Sequence, residues 1–140
     1  MAGTIRLEVV TPEKIVVSEE AQIVMAPGVL GEFGVLIGHT PFLTGLKTGV
    51  VRFNDPQGHE HIIFVSGGFA EVLPGQVTIL AESAERRRDI DIERARAALE
   101  RSQKRLAEMR SKDEIDFTRA QAALQRAILR LKIAESRPQR

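Results

Sequence analysis

The sequence predicts an α+β chain in two pieces, an N-terminal antiparallel β-sandwich or barrel followed by a C-terminal antiparallel two-helix hairpin. Three observations carry that prediction. All 11 Gly lie at or before Gly75, and five of the six Pro lie at or before Pro74. Ala, Arg, Gln and Glu crowd the remainder, and these favour helix where Gly and Pro punctuate turns. Charge divides at the same place: residues 1–85 carry 4 basic and 10 acidic side chains, whereas residues 86–140 carry 16 basic and 9 acidic. The expected domains are therefore 1–85 and 86–140.

The first element is a strand in which Ile5, Leu7 and Val9 alternate with Arg6 and Glu8, a period of two with one buried face. Further short β-rich runs lie at 14–17, 22–26, 50–53, 61–65, 69–73 and 77–80. Thr11-Pro12-Glu13, Asn54-Asp55-Pro56-Gln57-Gly58 and Pro74-Gly75 separate them with turn chemistry. Short strands at this spacing, with no helical pattern between them, predict a sandwich or barrel. After Asp91, Ile92, Ala95, Leu99, Ser102, Leu106 and Met109 step by three and four. Phe117, Ala120, Leu124, Ala127, Leu131 and Ala134 repeat that step, so each helix carries a narrow, Ala-rich heptad seam. The polar link Arg110-Ser111-Lys112-Asp113-Glu114, with capping-box spacing from Ser111 to Glu114, folds the second helix back on the first. Each arm is about 30 Å long. Small seam residues bury little area, so the hairpin is marginal by itself and needs the sandwich or a partner to lean on.

Several functions are excluded. Cys is absent, which removes disulfides, thiolate metal sites and Cys nucleophiles. The longest uncharged run, 33–46, is too short and too broken to span a bilayer, and no apolar signal segment follows the N-terminus. Lys47-Thr48 lacks the glycine spacing of a P-loop, and Phe64 occupies the first glycine position of a nucleophile elbow around Ser66. His59 and His61 share a strand face but have no evident third ligand, so they read as surface histidines beside a turn. His39 reads as a polar residue that fixes its loop or meets a partner. The basic half has 9 interleaved acids and Phe117 as its only aromatic, which argues against nucleic acid and for a solvated face or an acidic protein partner. The sharpest cluster is arginine-rich. Arg94 and Arg101 share one helix face, Arg126 and Arg130 share another, Asp91 opens the first helix and Glu85 lies just upstream. A closed hairpin would gather up to four guanidiniums, a set suited to a polyphosphate. Arg-rich helices also produce such spacing without a ligand, so spacing leaves both readings open.

The same residues carry a resemblance. Gly31-Glu32-Phe33-Gly34-Val35-Leu36-Ile37-Gly38-His39-Thr40-Pro41 and Ser66-Gly67-Gly68-Phe69-Ala70-Glu71-Val72 resemble two signatures of the epsilon subunit of bacterial F-type ATP synthases, with Phe33 in place of the usual Leu. The likeness runs in order from Val9-Val10-Thr11-Pro12 to Ala134-Glu135. It implies a non-catalytic rotor-stalk subunit, peripheral on the cytoplasmic face of the bacterial membrane and without direct membrane insertion. The implied partners are the gamma subunit, the c-ring and the catalytic beta (and alpha) subunits. Glu32 matches the loop position facing the ring, and His39 a position near gamma. The hairpin is then a two-state element, permissive when folded and inhibitory to ATP hydrolysis when extended, a reach of about 65–70 Å. Ile90-Asp91-Ile92-Glu93-Arg94-Ala95 matches the motif with which some members bind ATP, and Glu85, Arg101, Arg126 and Arg130 fall on the other positions used. No cofactor is required under this resemblance, and ATP is a regulatory ligand. Arg86-Arg87-Arg88 makes the hinge more basic than the family leads one to expect. A generic coiled-coil adaptor and a stand-alone nucleotide-sensing module are the alternatives.

Overall fold

The structure is a computed structural model and describes residues 3–109 and 114–136. It has two compact units that divide between Arg87 and Arg88. The first unit is a sandwich of ten strands: β1 Ile5–Val10, β2 Ile15–Ala21, β3 Ile23–Gly28, β4 Gly31–Val35, β5 Phe42–Gly45, β6 Gly49–Asn54, β7 Glu60–Ser66, β8 Phe69–Leu73, β9 Gln76–Leu80 and β10 Ser83–Arg86. One sheet has the order β2-β1-β9-β8-β5, the other β10-β7-β6-β3-β4.

The predicted alternation in β1 is present: Ile5, Leu7 and Val9 are fully buried in the core. Val17, Val24, Val51, Phe53, Ile63, Val72, Val77 and Ile79 join them, so the core between the sheets is built of branched aliphatics and one Phe. All pairings are antiparallel except β1 with β9, which run parallel from Arg6↔Gln76 to Val10↔Leu80. That exception follows from chain order, because β1 lies between its hairpin partner β2 and a strand that arrives 66 residues after Val10. Strands β4, β5 and β10 have no counterpart among the predicted runs. Each is an edge strand. Edge strands pair on one side only and need little apolar alternation, so short segments such as Gly31-Glu32-Phe33-Gly34-Val35 leave almost no pattern to read.

The Ser66-Gly67-Gly68 corner is where backbone dictates sequence. Gly68 has φ +104°, and a Cβ there would lie 2.0 Å from the Leu80 carbonyl oxygen. Only glycine permits that approach of β8 to β9.

The second unit opens with a 3₁₀ turn whose last residue is Asp89 and contains α1 Ile92–Glu108 and α2 Glu114–Glu135. The helices pack on each other, and the Arg96–Glu135 ion pair at 3.6 Å joins the start of α1 to the end of α2, which fixes the antiparallel sense. Ala95, Ser102, Ala120, Ala127 and Leu131 are buried on the predicted seam. Its outer positions are not: Ile92 and Phe117 are exposed at 36% and 49%. Four of the five buried seam positions are thus small residues, Leu131 is the fifth, and the seam is open at Ile92 and Phe117. The proposed Ser111 cap lies outside the described residues.

Candidate functional site

Of the residues with a sequence-based site assignment, Glu85 sits on β10 in the sandwich unit, and the other arginine-cluster residues lie in the helical unit. Ile90 is buried. Asp91 is the N-cap of α1: its φ is −79° and ψ 102°, and its Oδ1 accepts a hydrogen bond from the Arg94 backbone N–H at 3.0 Å. The Ala95 N–H donates to the Asp91 carbonyl, also at 3.0 Å. The carboxylate thus neutralises the positive end of the α1 dipole as well as satisfying a donor that the helix cannot. This role was legible only in part, since the sequence places Asp91 at the helix start but shows no capping bond there.

Arg94 and Arg101 are exposed on α1, whereas Arg126 and Arg130 are half-buried on α2. The Arg96–Glu135 pair sets the register of the hairpin. Counting equal rises down both helices from that pair places Arg101 level with Arg130. Arg94 lies about 10 Å along the axis from Arg101, and Arg126 about 6 Å from Arg130. Spacing alone therefore spreads the four guanidiniums along the hairpin, with one level shared by both helices.

On the sandwich, Glu32 is exposed on β4, opposite Pro27 of β3. The β3–β4 turn beside it presents Val29 and Leu30, and Leu30 is 96% exposed. His39 is half-buried in the β4–β5 loop, and its Nδ1–H donates to the Thr40 carbonyl at 2.6 Å. Its ring lies 6.4 Å from Phe42, which in turn meets Phe33 edge-on at 5.3 Å. Leu36, Ile37, Phe42 and Leu43 are also exposed here. Phe69 and Leu80 are more than half exposed and border a cavity of about 500 Å³ with Val10, Pro12 and Ala81. Sequence reasoning missed these apolar surfaces. The signal available was that Leu30, Leu36, Ile37, Phe42 and Leu43 fall in or beside glycine-marked segments, where a buried strand is a poor expectation.

His61 departs from the surface-histidine expectation. Its ring stacks on the buried Phe53 at 4.6 Å and 6°, and its Nε2 meets Asp55 Oδ2 at 2.9 Å. The bond from His61, aided by backbone N–H groups of His59 and Gln57 and by the nearby His59 ring, lowers the Asp55 pKa to about 2 against a smaller opposing desolvation. His59 remains exposed, 3.5 Å from the same oxygen. The cluster ties off the β6–β7 turn. Among the described residues no group of three or more His, Asp or Glu side chains is arranged to hold a metal ion. No described helix is long and apolar enough to cross a membrane.

A ten-stranded sandwich followed by a helical hairpin, with apolar surfaces on the sandwich and arginines on the hairpin, defines a two-domain chain of the sandwich-plus-hairpin class. The comparisons are specific about which. Residues 4–87 match the β-sandwich domain of the ATP synthase delta/epsilon chain, and residues 88–135 match that chain's long α-helix domain. The chain belongs to the delta/epsilon chain family of ATP synthases, and the resemblance read from its two signatures holds. The ATP synthase epsilon chain of Syntrophobacter fumaroxidans is 58% identical over 136 residues, covering 97% of this chain and 99% of that one. The epsilon chain of Desulfosudis oleivorans is 66% identical over 106 residues, 76% of this chain and 80% of that one. Among solved structures, a chain of the Euglena gracilis mitochondrial ATP synthase, in an assembly of OSCP, F1 and c-ring, superposes with TM-score 0.74 at 27% identity, covering 89% of this chain and 78% of that one. A chain from the central stalk and c-ring of the Tetrahymena thermophila enzyme shares the fold, with TM-score 0.58 at 12% identity over 93% of this chain and 96% of that one.

Proposed function

We propose that this chain is a non-catalytic rotor subunit of the central stalk, held peripherally at the cytoplasmic face of a bacterial membrane, and that its hairpin restrains ATP hydrolysis under the control of ATP. The sandwich docks on the gamma subunit and the c-ring. The hairpin, when released, extends along gamma toward the catalytic alpha and beta subunits. The observation that carries the switch is the hairpin seam: four of its five buried positions are the small residues Ala95, Ser102, Ala120 and Ala127, the fifth is Leu131, and Ile92 and Phe117 stay exposed. Small residues lose little area on separation, so the helices can exchange each other for another partner at low cost, and exposed large residues give that partner something to bury. The exposed apolar groups Leu30, Leu43, Phe69 and Leu80 support docking of the sandwich, since a partner seated there would remove them from water. Glu32 lies on the ring side of that surface and His39 on the gamma side. Regulatory ATP takes Glu85, Ile90, Asp91, Arg94, Ala95, Arg101, Arg126 and Arg130, with the arginines on the phosphates and ATP favouring the closed hairpin. No cofactor is required for the structural role.

Two measurements test this reading. In calorimetry, ATP binds the full chain and the Arg101→Ala/Arg130→Ala variant loses that binding; no heat at millimolar ATP overturns the sensor. In complexes with alpha, beta and gamma, Arg96→Cys and Glu135→Cys joined by a short bismaleimide hold the hairpin closed, and hydrolysis rises over the uncross-linked control. The chain has no Cys of its own, so the cross-link is formed unambiguously on the isolated chain before it is added to alpha, beta and gamma. Equal hydrolysis with and without the cross-link overturns the brake.

A further inference from the structure

The three arginines at the boundary, Arg86, Arg87 and Arg88, read in sequence as one basic hinge, but Arg86 has a separate task. It is the last residue of β10, a four-residue strand that pairs only with β7 at the edge of its sheet. Its guanidinium leaves that sheet and reaches β2, the edge strand of the other one. Nε donates to the Val16 carbonyl at 3.2 Å, and an outer nitrogen pairs with the Glu19 carboxylate. The side chain is 17% exposed, and Glu19 is 37% exposed. The pairing is thus charge-assisted, partly shielded, and made by a planar group that uses two of its donors in different directions. It also occupies an edge carbonyl that would otherwise face solvent.

A four-residue terminal edge strand held by one neighbour is the kind of element that frays first. Here the fraying end is pinned across the sandwich. The very next residue starts the 3₁₀ turn Arg87–Asp89, and the cap of α1 follows at Asp91. We propose that the Arg86 contacts with Glu19 and Val16 are the fixed root of the hinge: they stop any motion of the hairpin at the Arg87–Arg88 boundary and keep it from unzipping β10 from β7. This rests on the mobile-hairpin reading above for its use, but the boundary it sets is a property of the chain alone. Arg86 is a positioning residue; it does not belong to the arginine set assigned to ATP.

Residue-resolved amide exchange on the full chain without nucleotide tests it. In the wild type, the Ser83 and Glu85 amides paired with β7 are protected and protection is lost by Arg88. In Glu19→Gln, which keeps side-chain shape and loses the charge, the Ser83 and Glu85 amides, whose register bonds them to β7, exchange roughly tenfold faster, while the Val51 and Phe53 amides of β6 do not change. Arg86→Lys, which keeps the charge but loses the fork, gives the same retreat and guards against a folding defect in either variant. Unchanged β10 exchange in both variants overturns the proposal, as does wild-type protection that continues undiminished through Arg88. The outcome is separable from the switch itself. A cross-linked hairpin that leaves hydrolysis unaltered removes the brake and leaves the β10 boundary to stand or fall on exchange.

Discussion

Asp91 offers the sharpest separation of architecture from ligand recognition. Two substitutions divide its roles. Asp91→Ala removes the oxygen that accepts from Arg94 N–H at 3.0 Å, along with the charge at the positive end of α1. Asp91→Asn removes the charge and keeps an acceptor. Cap loss costs about 1 kcal/mol, and the charge–dipole interaction at an exposed helix end adds about 0.5 kcal/mol. The alanine variant should therefore lose about 1.5 kcal/mol from the first turn of α1, roughly a tenfold increase in opening there, and the asparagine variant about 0.5 kcal/mol. Amide exchange at Arg94 reads this directly, and ellipticity at 222 nm reads the summed helix content of the 17-residue helix. ATP calorimetry then gives the second axis. If the carboxylate recognises ATP, Asp91→Asn loses affinity while Arg94 protection stays near wild type. If Asp91 acts only as a cap, affinity falls in the alanine variant and follows the loss of protection. Arg94 exchange that is the same in Asp91→Ala and wild type refutes the capping argument outright.

Three other outcomes are expected. Gly68→Ala places a Cβ 2.0 Å from the Leu80 carbonyl oxygen at φ +104° and should destabilise the sandwich by about 2–4 kcal/mol, measured by urea unfolding followed through β-sheet ellipticity. The Asp55 carboxyl, held near pKa 2 by His61 in the folded chain and at its ordinary 3.8 when unfolded, contributes stability that is complete above pH 3.8 and is lost as pH falls from 3.8 toward 2. Asp55→Asn should flatten that acid limb in pH-dependent melting and leave the slope above pH 5 alone. Ala127→Leu inserts bulk at a fully buried seam position and should cost about 1–3 kcal/mol of hairpin stability. Paired spin labels at Arg96→Cys and Glu135→Cys read it as a longer and broader distance distribution; an unchanged distribution would mean that the seam has room that its burial denies.

What was legible in the sequence follows from where each element meets its neighbours. β1 and β9 are sheet-centre strands with one face on the core, so Ile5, Leu7, Val9 and Val77, Ile79 keep a strict period of two. β7 is buried on both faces from Ile63 to Ser66 and so reads as a continuous apolar run, still recognisable by its β-branched residues. β4, β5 and β10 are edges, with burial too partial to impose a pattern, and none could be read. The hairpin was legible for the opposite reason. Two helices that pack on each other along a narrow seam repeat their buried residues at a heptad spacing, and Ala95, Ser102, Ala120 and Ala127 do so.

Site residues divide along the same line between local and non-local causes. Asp91 at the start of α1 is a local matter, because a carboxylate one residue before a helix has its partner within three residues. The destination of Arg86 is not local: Glu19 lies 67 residues earlier and belongs to the other sheet. No spacing rule connects the two, and only the closure of the sandwich brings β10 beside β2. A run of three arginines therefore carries one composition and more than one function. Arg86 is spent on the sandwich by the alternation of β10, and Arg87 begins a different backbone conformation. The charge of a hinge is thus a poor guide to what the hinge binds, and the residue to mutate in probing it is the one whose partner the fold supplies from farthest away.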